Sequence, residues 1–284
     1  MVRPLQLEMQ ERYLAIVLLD LIGSTAFVQK AGAKKAAEWF QYHDSLARSL
    51  CYKFNGREID RSDGFLLSFD RIADAVNFSL MYQKTIPPKT RLQTRIGIHW
   101  GVVVEVTQDE RFVGVGAKRV ELEGIAKNIA ARTMSLCQAG QVLLTKEAMD
   151  RVTKRPDPFT PKTARYACVG LYRFKGVKQA QEIYAVGETI ESLQPPQGSD
   201  KVKRLGGPKY IQARARDRKF LDWVMWVYWR LAVVSIILWV YFLAHILISP
   251  MARNLFLGLP YHLPIVDESV AFLVDLWQSL ISKK

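Results

Sequence analysis

The stretch Tyr13-Leu14-Ala15-Ile16-Val17-Leu18-Leu19-Asp20-Leu21-Ile22-Gly23-Ser24-Thr25 decides how this chain reads. Tyr13–Leu19 is an unbroken apolar run of strand length, which predicts a buried β-strand. It ends on a carboxylate, Asp20, and a small-residue turn then leads into a segment of helical periodicity. A strand-end carboxylate beside a helix N-terminus suits a metal–phosphate complex. The carboxylate holds the cation, while free backbone N–H groups and the helix dipole face the phosphates. Taken alone, an Asp ahead of Ser and Thr is often only a helix cap.

Ser24 to Lys53 is helical in pattern, with Phe27, Ala31, Trp39, Leu46 and Leu50 on an inward stripe. Arg57–Asp60 and Phe65–Phe69 flank Ser62-Asp63-Gly64 and predict a β-hairpin. Asp74–Lys84 reads as a second helix, closed by Pro87-Pro88. Thr94–Trp100 is a strand running into Gly101 and Val102–Val106. A helix over Ile125–Cys137, a strand over Gln141–Leu144 and closing strands at Tyr172–Phe174 and Glu182–Val186 follow. Strands and helices without strict βαβ spacing predict an α+β fold, a mainly antiparallel sheet with packed helices.

Two further features carry chemistry. Asp63 at a hairpin tip is an ordinary turn residue by itself. If its hairpin pairs beside Tyr13–Leu19, both aspartates face one site suited to two magnesium or manganese ions. Asn128 and Arg132, four apart on a helix, project from one face. There a guanidinium can stabilise charge developing on phosphorus and an amide can orient a sugar. For any one such pair a solvated helix face is the blander account. Gly114-Val-Gly116 lacks the third glycine of a dinucleotide fingerprint. His43, His99, His245 and His262 form no cluster, and Cys51, Cys137 and Cys168 have no zinc or redox spacing, which favours a reduced setting.

The ordered set is more specific than its parts. The apolar strand with Asp-Leu-Ile-Gly-Ser-Thr, Gly56-Arg-Glu-Ile-Asp-Arg-Ser-Asp-Gly-Phe65, Arg95-Ile-Gly-Ile-His-Trp-Gly101, Asn128-Ile-Ala-Ala-Arg132, Gly140-Gln-Val-Leu-Leu-Thr145 and Phe174-Lys-Gly-Val177 resemble, in order, the motifs of class III adenylate and guanylate cyclases. The resemblance covers roughly Tyr13 to Gly187. It implies a ferredoxin-like catalytic domain acting as a head-to-tail homodimer with composite sites, turning a nucleoside triphosphate into a 3′,5′-cyclic nucleotide and pyrophosphate. Asp20, Asp63 and the Leu21 carbonyl would bind two divalent ions (Mg or Mn). Gly23, Ser24 and Thr25 would cradle phosphates. From the other subunit, Asn128 would orient the ribose and Arg132 would stabilise the transition state.

The chain departs from the family where the base is read. Ile59 stands where adenylate cyclases typically carry a lysine, Glu121 where Asp or Thr is usual, and Ser62 in place of a glycine. That pattern is similar to the bacterial pyrimidine cyclases of Pycsar anti-phage systems, which make cyclic UMP or cyclic CMP for antiviral signalling. The similarity implies a downstream effector that binds the cyclic nucleotide. An adenylate cyclase that reads adenine differently is the alternative. A silent nucleotide-binding module and a membrane-anchored interaction scaffold are others, and retention of Asp20, Asp63 and Arg132 counts against both.

The formal net charge of +13 implies an anionic partner. Lys201, Lys203, Arg204, Lys209, Arg214, Arg216, Arg218 and Lys219 cluster just ahead of the most apolar run, which favours lipid headgroups over nucleic acid. Leu231–Ser249 would span roughly 28 Å as a helix, about a bilayer core. Trp223, Trp226, Tyr228 and Trp229 would form an aromatic belt, and the basic cluster would hold the catalytic domain in the cytoplasm. The expected organisation is a lead at 1–12, a cyclase domain at 13–187, a basic linker at 188–219, a single span of the cell inner membrane at 220–249 and an amphipathic segment at 250–284. The N-terminus has no apolar segment of a secretory signal.

Overall fold

The computed structural model describes residues 8–62, 64–86, 93–248, 254 and 271–272. In chain order the elements are β1 (Glu8–Ile22), α1 (Ser24–Ala31), α2 (Ala33–Lys53), β2 (Gly56–Arg61), β3 (Gly64–Phe69), α3 (Ile72–Thr85), β4 (Gln93–Thr107), α4 (Glu110–Val113), β5 (Val120–Glu123), α5 (Ile125–Leu136), β6 (Val142–Thr145), α6 (Lys146–Lys154), β7 (Arg165–Phe174), β8 (Gln181–Gly187), β9 (Val202–Gly206) and α7 (Pro208–Ile248). The strands form one sheet in the order β2-β3-β1-β4-β6-β8-β7-β9, with β5 paired on β4. Only β4 and β6 run parallel among the described pairings. The expected α+β sheet with packed helices is therefore present.

Period-two alternation divides β1 between the two faces of the sheet. Ala15, Val17 and Leu19 join Ile96, Ile98, Phe65, Leu67 and Phe69 in a cluster shared with buried residues of α2, α3 and α6. On the opposite face Leu14 and Ile16 pack with Ile59, Val103, Leu122 and the α5 residues Ala126 and Ala130. Gly97 makes room for that helix. A Cβ there would lie 2.2 Å from the Met134 backbone nitrogen and 2.8 Å from the Ala130 carbonyl, so any side chain would lift α5 off the sheet. One consequence is that the face bearing Asp20 carries a single helix and stays partly open.

The helical stretch after Asp20 breaks at Gly32, whose φ of 79° lies in the left-handed region that glycine enters without strain. His43 on α2 is fully buried, its Nδ1 against the Tyr82 hydroxyl, and burial pushes its pKa down to about 4. A histidine held neutral in the fold but free to protonate near 6.5 when unfolded stabilises fully above that pH. The contribution is lost as pH falls toward about 4. The denaturant midpoint should therefore drop over that window, and His43→Phe should lessen the drop, with the buried His99, whose pKa burial also lowers to about 4, accounting for part of what remains.

Part of the segment read from composition as a linker is folded. Val202–Gly206 add a strand to β7, with Tyr172↔Arg204 and Phe174↔Val202 in register. Val202 is 2% exposed in a cluster with Val169, Tyr172 and Phe174, and the Tyr172 hydroxyl donates to the Pro196 carbonyl at 2.8 Å. A chain ending at Gly187 would uncover that cluster, whereas one ending at Gly207 keeps it. Burying one valine contributes about 1.5–3 kcal/mol. The shorter chain should therefore melt at least roughly 3–6 °C lower by circular dichroism.

Met1–Gln212 forms one compact unit and Ala213–Lys284 a second. Within the second, α7 exposes Trp223, Trp226, Trp229, Val233, Ile236, Trp239 and Tyr241 along its length, and the Arg230 guanidinium lies 4.1 Å from the Trp226 ring centroid. It is the one helix among the described residues that is long and apolar enough to cross a membrane. The amphipathic segment expected at 250–284 falls outside the described residues except at Asn254, Ala271 and Phe272.

Candidate active site

Asp20 sits where three strands meet. It pairs with Gly64 of β3 on one side and Arg95 of β4 on the other. Its Oδ1 accepts from the Leu21 N–H at 2.8 Å, and its Oδ2 accepts from Arg95 Nη2 at 2.6 Å and Nε at 3.0 Å. A carbon on Gly64 would lie 2.4 Å from the Leu19 carbonyl, so only glycine lets β3 begin this close to β1. Asp63 itself lies outside the described residues. Its neighbours Ser62 and Gly64 border the cavity described next.

Beyond Asp20 the chain turns through Gly23, at φ 71° and ψ 25°, into α1. This helix begins with no side-chain cap and no acidic residue in its first turn. Among the described residues nothing accepts from the first N–H groups, at Ser24 and Thr25, and the dipole there favours an anion.

A cavity of about 600 Å3 opens on the uncovered part of this sheet face. Leu18, Leu66, Ile59, Leu122 and Met134 form its apolar walls, and Asp20, Asp60, Ser62, Lys118, Glu121 and Lys127 its polar ones. The structure thus brings Asp20 together with both expected base-selecting positions. Ile59 lies at a bulge in β2, where the pairing with β3 shifts between Glu58 and Asp60. It is 8% exposed and belongs as much to the apolar cluster around Leu14 and Val103 as to the cavity. Glu121, opposite Val106 on β5, is half-buried.

Asn128 and Arg132 are on α5 but do not line this cavity, which meets that helix at Lys127 and Met134. Asn128 is exposed, and Arg132 is half-buried with its Nε enclosed and, among the described residues, without an acceptor. One copy of the chain therefore does not bring the Asn128–Arg132 pair to Asp20.

Two residues to which the sequence reading gave no role belong to the site. Arg95 was signalled by its strand: two residues before Gly97, it shares the face on which Asp20 stands. Lys118 precedes β5 in an irregular stretch, and nothing in its neighbourhood marks it. The Asp20 carboxylate with the adjoining Leu21 carbonyl is a hard oxygen set of the kind magnesium and manganese take. Among the described residues no group of three His, Cys, Asp or Glu gathers to hold a metal. A cation here therefore draws on the aspartates, a carbonyl and the substrate's phosphates, and it must share or displace Arg95.

Residues 8–188 match the family model of the adenylate and guanylate cyclase catalytic domain. The chain belongs to that family, the class III nucleotidyl cyclases, and is a nucleotidyl cyclase. Solved structures share the fold. The adenylyl cyclase CyaB from P. aeruginosa superposes with a TM-score of 0.56 at 17% identity, over 66% of this chain and 99% of its own. An adenylate/guanylate cyclase/hydrolase from Silicibacter pomeroyi gives 0.51 at 20%, over 63% and 98%. The catalytic core of a rhodopsin-guanylyl cyclase with converted specificity, in complex with ATPαS, gives 0.53 at 17%, over 63% and 98%. No curated protein matches.

Proposed function

We propose that the chain cyclises a pyrimidine nucleoside triphosphate, UTP before CTP, as a membrane-anchored homodimer. The observation that carries this reading is that the Asp20 carboxylate and the Ile59–Glu121 wall line one cavity, with the uncapped start of α1 a few residues after Asp20 in the chain and Asn128 and Arg132 on another part of α5. Asp20, Asp63 and the Leu21 carbonyl hold the divalent ions, which supply an activated ribose 3′-hydroxyl and charge neutralisation on the triphosphate when bound. Gly23, Ser24 and Thr25 offer backbone N–H groups to the phosphates, and Arg95, released from Asp20, adds a guanidinium to the same anion. Asn128 of a second copy orients the ribose, and its Arg132 offsets the charge that grows on the α-phosphate as the 3′-oxygen attacks and pyrophosphate leaves.

The base follows from the wall. Ile59 cannot donate a hydrogen bond, and a purine edge facing it loses a polar partner on desolvation. Glu121 accepts from a pyrimidine N–H. Incubation with each of the four triphosphates and manganese, followed by mass spectrometry of the products, should give cyclic UMP in largest amount. Cyclic AMP as the sole product would overturn the base assignment and favour the adenylate cyclase alternative.

In the same reading the apolar part of α7, from Leu231 onward, crosses the cell inner membrane once, with the basic residues of β9 and of the first turns of α7 on the cytoplasmic side. The product then reaches a soluble effector that binds the cyclic nucleotide, as antiviral signalling requires. The full chain should stay with membranes through an alkaline carbonate wash, and the chain ending at Gly207 should stay in the supernatant. Release of the full chain by carbonate would reduce the attachment to electrostatics.

A further inference from the structure

The cavity that holds Asp20 contains a lysine after all, delivered from a different element than Ile59's strand. Lys118 Nζ lies 2.6 Å from Asp60 Oδ2, immediately beside Ile59, and both residues of the pair line the cavity with Glu121. Lys118 is 47% exposed and Asp60 26%, so the pair sits at the cavity wall within reach of a ligand. The cavity's other lysine, Lys127, is taken up by Glu123 at the end of β5, at 3.2 Å. Among the described residues Glu121 has no side-chain hydrogen bond or ion pair. The wall therefore presents an unpartnered acceptor and, close by, an ammonium held from one side only.

We propose that Lys118 and Glu121 together read the base, with Asp60 positioning the lysine. An ammonium has three donors. Asp60 takes one and fixes the stem, which leaves two for a carbonyl oxygen in the cavity. A carboxylate beside it accepts from the neighbouring ring N–H. Uracil presents this sequence along one edge, an N3–H flanked by carbonyl oxygens, while the apolar walls at Ile59, Leu18 and Leu122 cover the ring. The ionic pairing also explains how an isoleucine can stand where a lysine is usual: Ile59 turns into the core at its bulge, and the charge comes across from the segment before β5.

This inference rests on the nucleotide reading of the cavity, and its test separates the two. The kcat/KM of the full-length protein is measured for UTP, CTP, ATP and GTP, in the wild type and in the Lys118→Met and Lys118→Arg variants. The same enzymes are given the 2-pyrimidinone ribonucleoside triphosphate, which lacks both the 4-oxygen and the N3–H of uracil and so offers neither partner of the proposed pair. Lys118→Met should lower kcat/KM for the preferred nucleotide about 10-fold or more, mainly through KM, because a hydrogen bond to a charged donor is lost. Discrimination among the four bases should shrink by the same factor, the poorest substrate should be unchanged, and Lys118→Arg should restore part of the preference. Turnover of the 2-pyrimidinone analogue should be indifferent to Lys118→Met. A wild type that prefers ATP or GTP, with that preference erased by Lys118→Met, would refute the pyrimidine assignment and keep Lys118 as the base reader. Equal losses on all four nucleotides, or no loss on any, would overturn the role given to Lys118 whichever base is preferred.

Discussion

Asp20→Ala should abolish cyclic nucleotide formation with every triphosphate, a loss of about 10³-fold or more if several kcal/mol of metal-derived stabilisation disappear. The same outcome is expected for Asp63→Ala. Asp20 is also half of a partly buried ion pair, so its removal leaves the Arg95 guanidinium, 29% exposed, without its carboxylate. A stability cost and a catalytic cost are thus superimposed. Two further variants divide them. Asp20→Asn keeps the size of the side chain and an oxygen acceptor for Arg95 but removes the charge a divalent ion needs. Its activity should be as low as that of Asp20→Ala, with a melting temperature nearer the wild type. In Asp20→Ala/Arg95→Ala the stranded charge is gone, so stability should partly return while activity does not. Near wild-type turnover in Asp20→Asn would remove the carboxylate from catalysis and leave it a structural partner of Arg95.

Much of this site was legible because its chemistry sits on strongly patterned elements. The seven apolar residues before Asp20 read as a buried strand, Gly23 answers to a left-handed turn and Gly64 to the close approach of β3 to the Leu19 carbonyl. The hairpin around Asp63 and the helix carrying Asn128 and Arg132 were legible for the same reason. What escaped lies where sequence pattern and tertiary placement part company. β9 was hidden by its composition, because Lys203 and Arg204 face solvent while only Val202 is buried. Ile59 reads as a pocket residue from its spacing to Asp63, yet the bulge in β2 turns it largely into the core. Lys118 stands 58 positions from the Asp60 it meets, and no local periodicity announces a contact made by a loop folding back on a sheet edge. Arg95 lay in a recognised strand, but its pairing with Asp20 depends on the antiparallel register of β1 and β4, which two separate strands do not declare.

The position of Arg132 leads to the second large effect. It lies on α5 away from the cavity that contains Asp20, with its Nε enclosed and, among the described residues, unpartnered, which supports the proposal that a site using both groups draws them from two chains. Arg132→Ala should lower kcat by about 10²-fold or more and leave KM nearly unchanged, as expected for a charge needed when the α-phosphate becomes most negative. Neither Arg132→Ala nor Asp20→Ala should be active alone. Expressed together in equal amounts, they should recover activity. A mixed dimer carries one site with both groups intact and one with neither, and half of randomly assorted dimers are mixed, so about a quarter of the wild-type rate is expected for two-fold symmetric pairing. The recovery should depend on dilution, falling as dimers dissociate, and covalent linkage of the two variant chains should remove that dependence. Failure of verified mixed dimers to recover any activity would mean that each chain completes its own site. Arg132 would then have to reach the cavity by a movement of α5, and Gly97, over which that helix lies in backbone contact, would be the position that permits it.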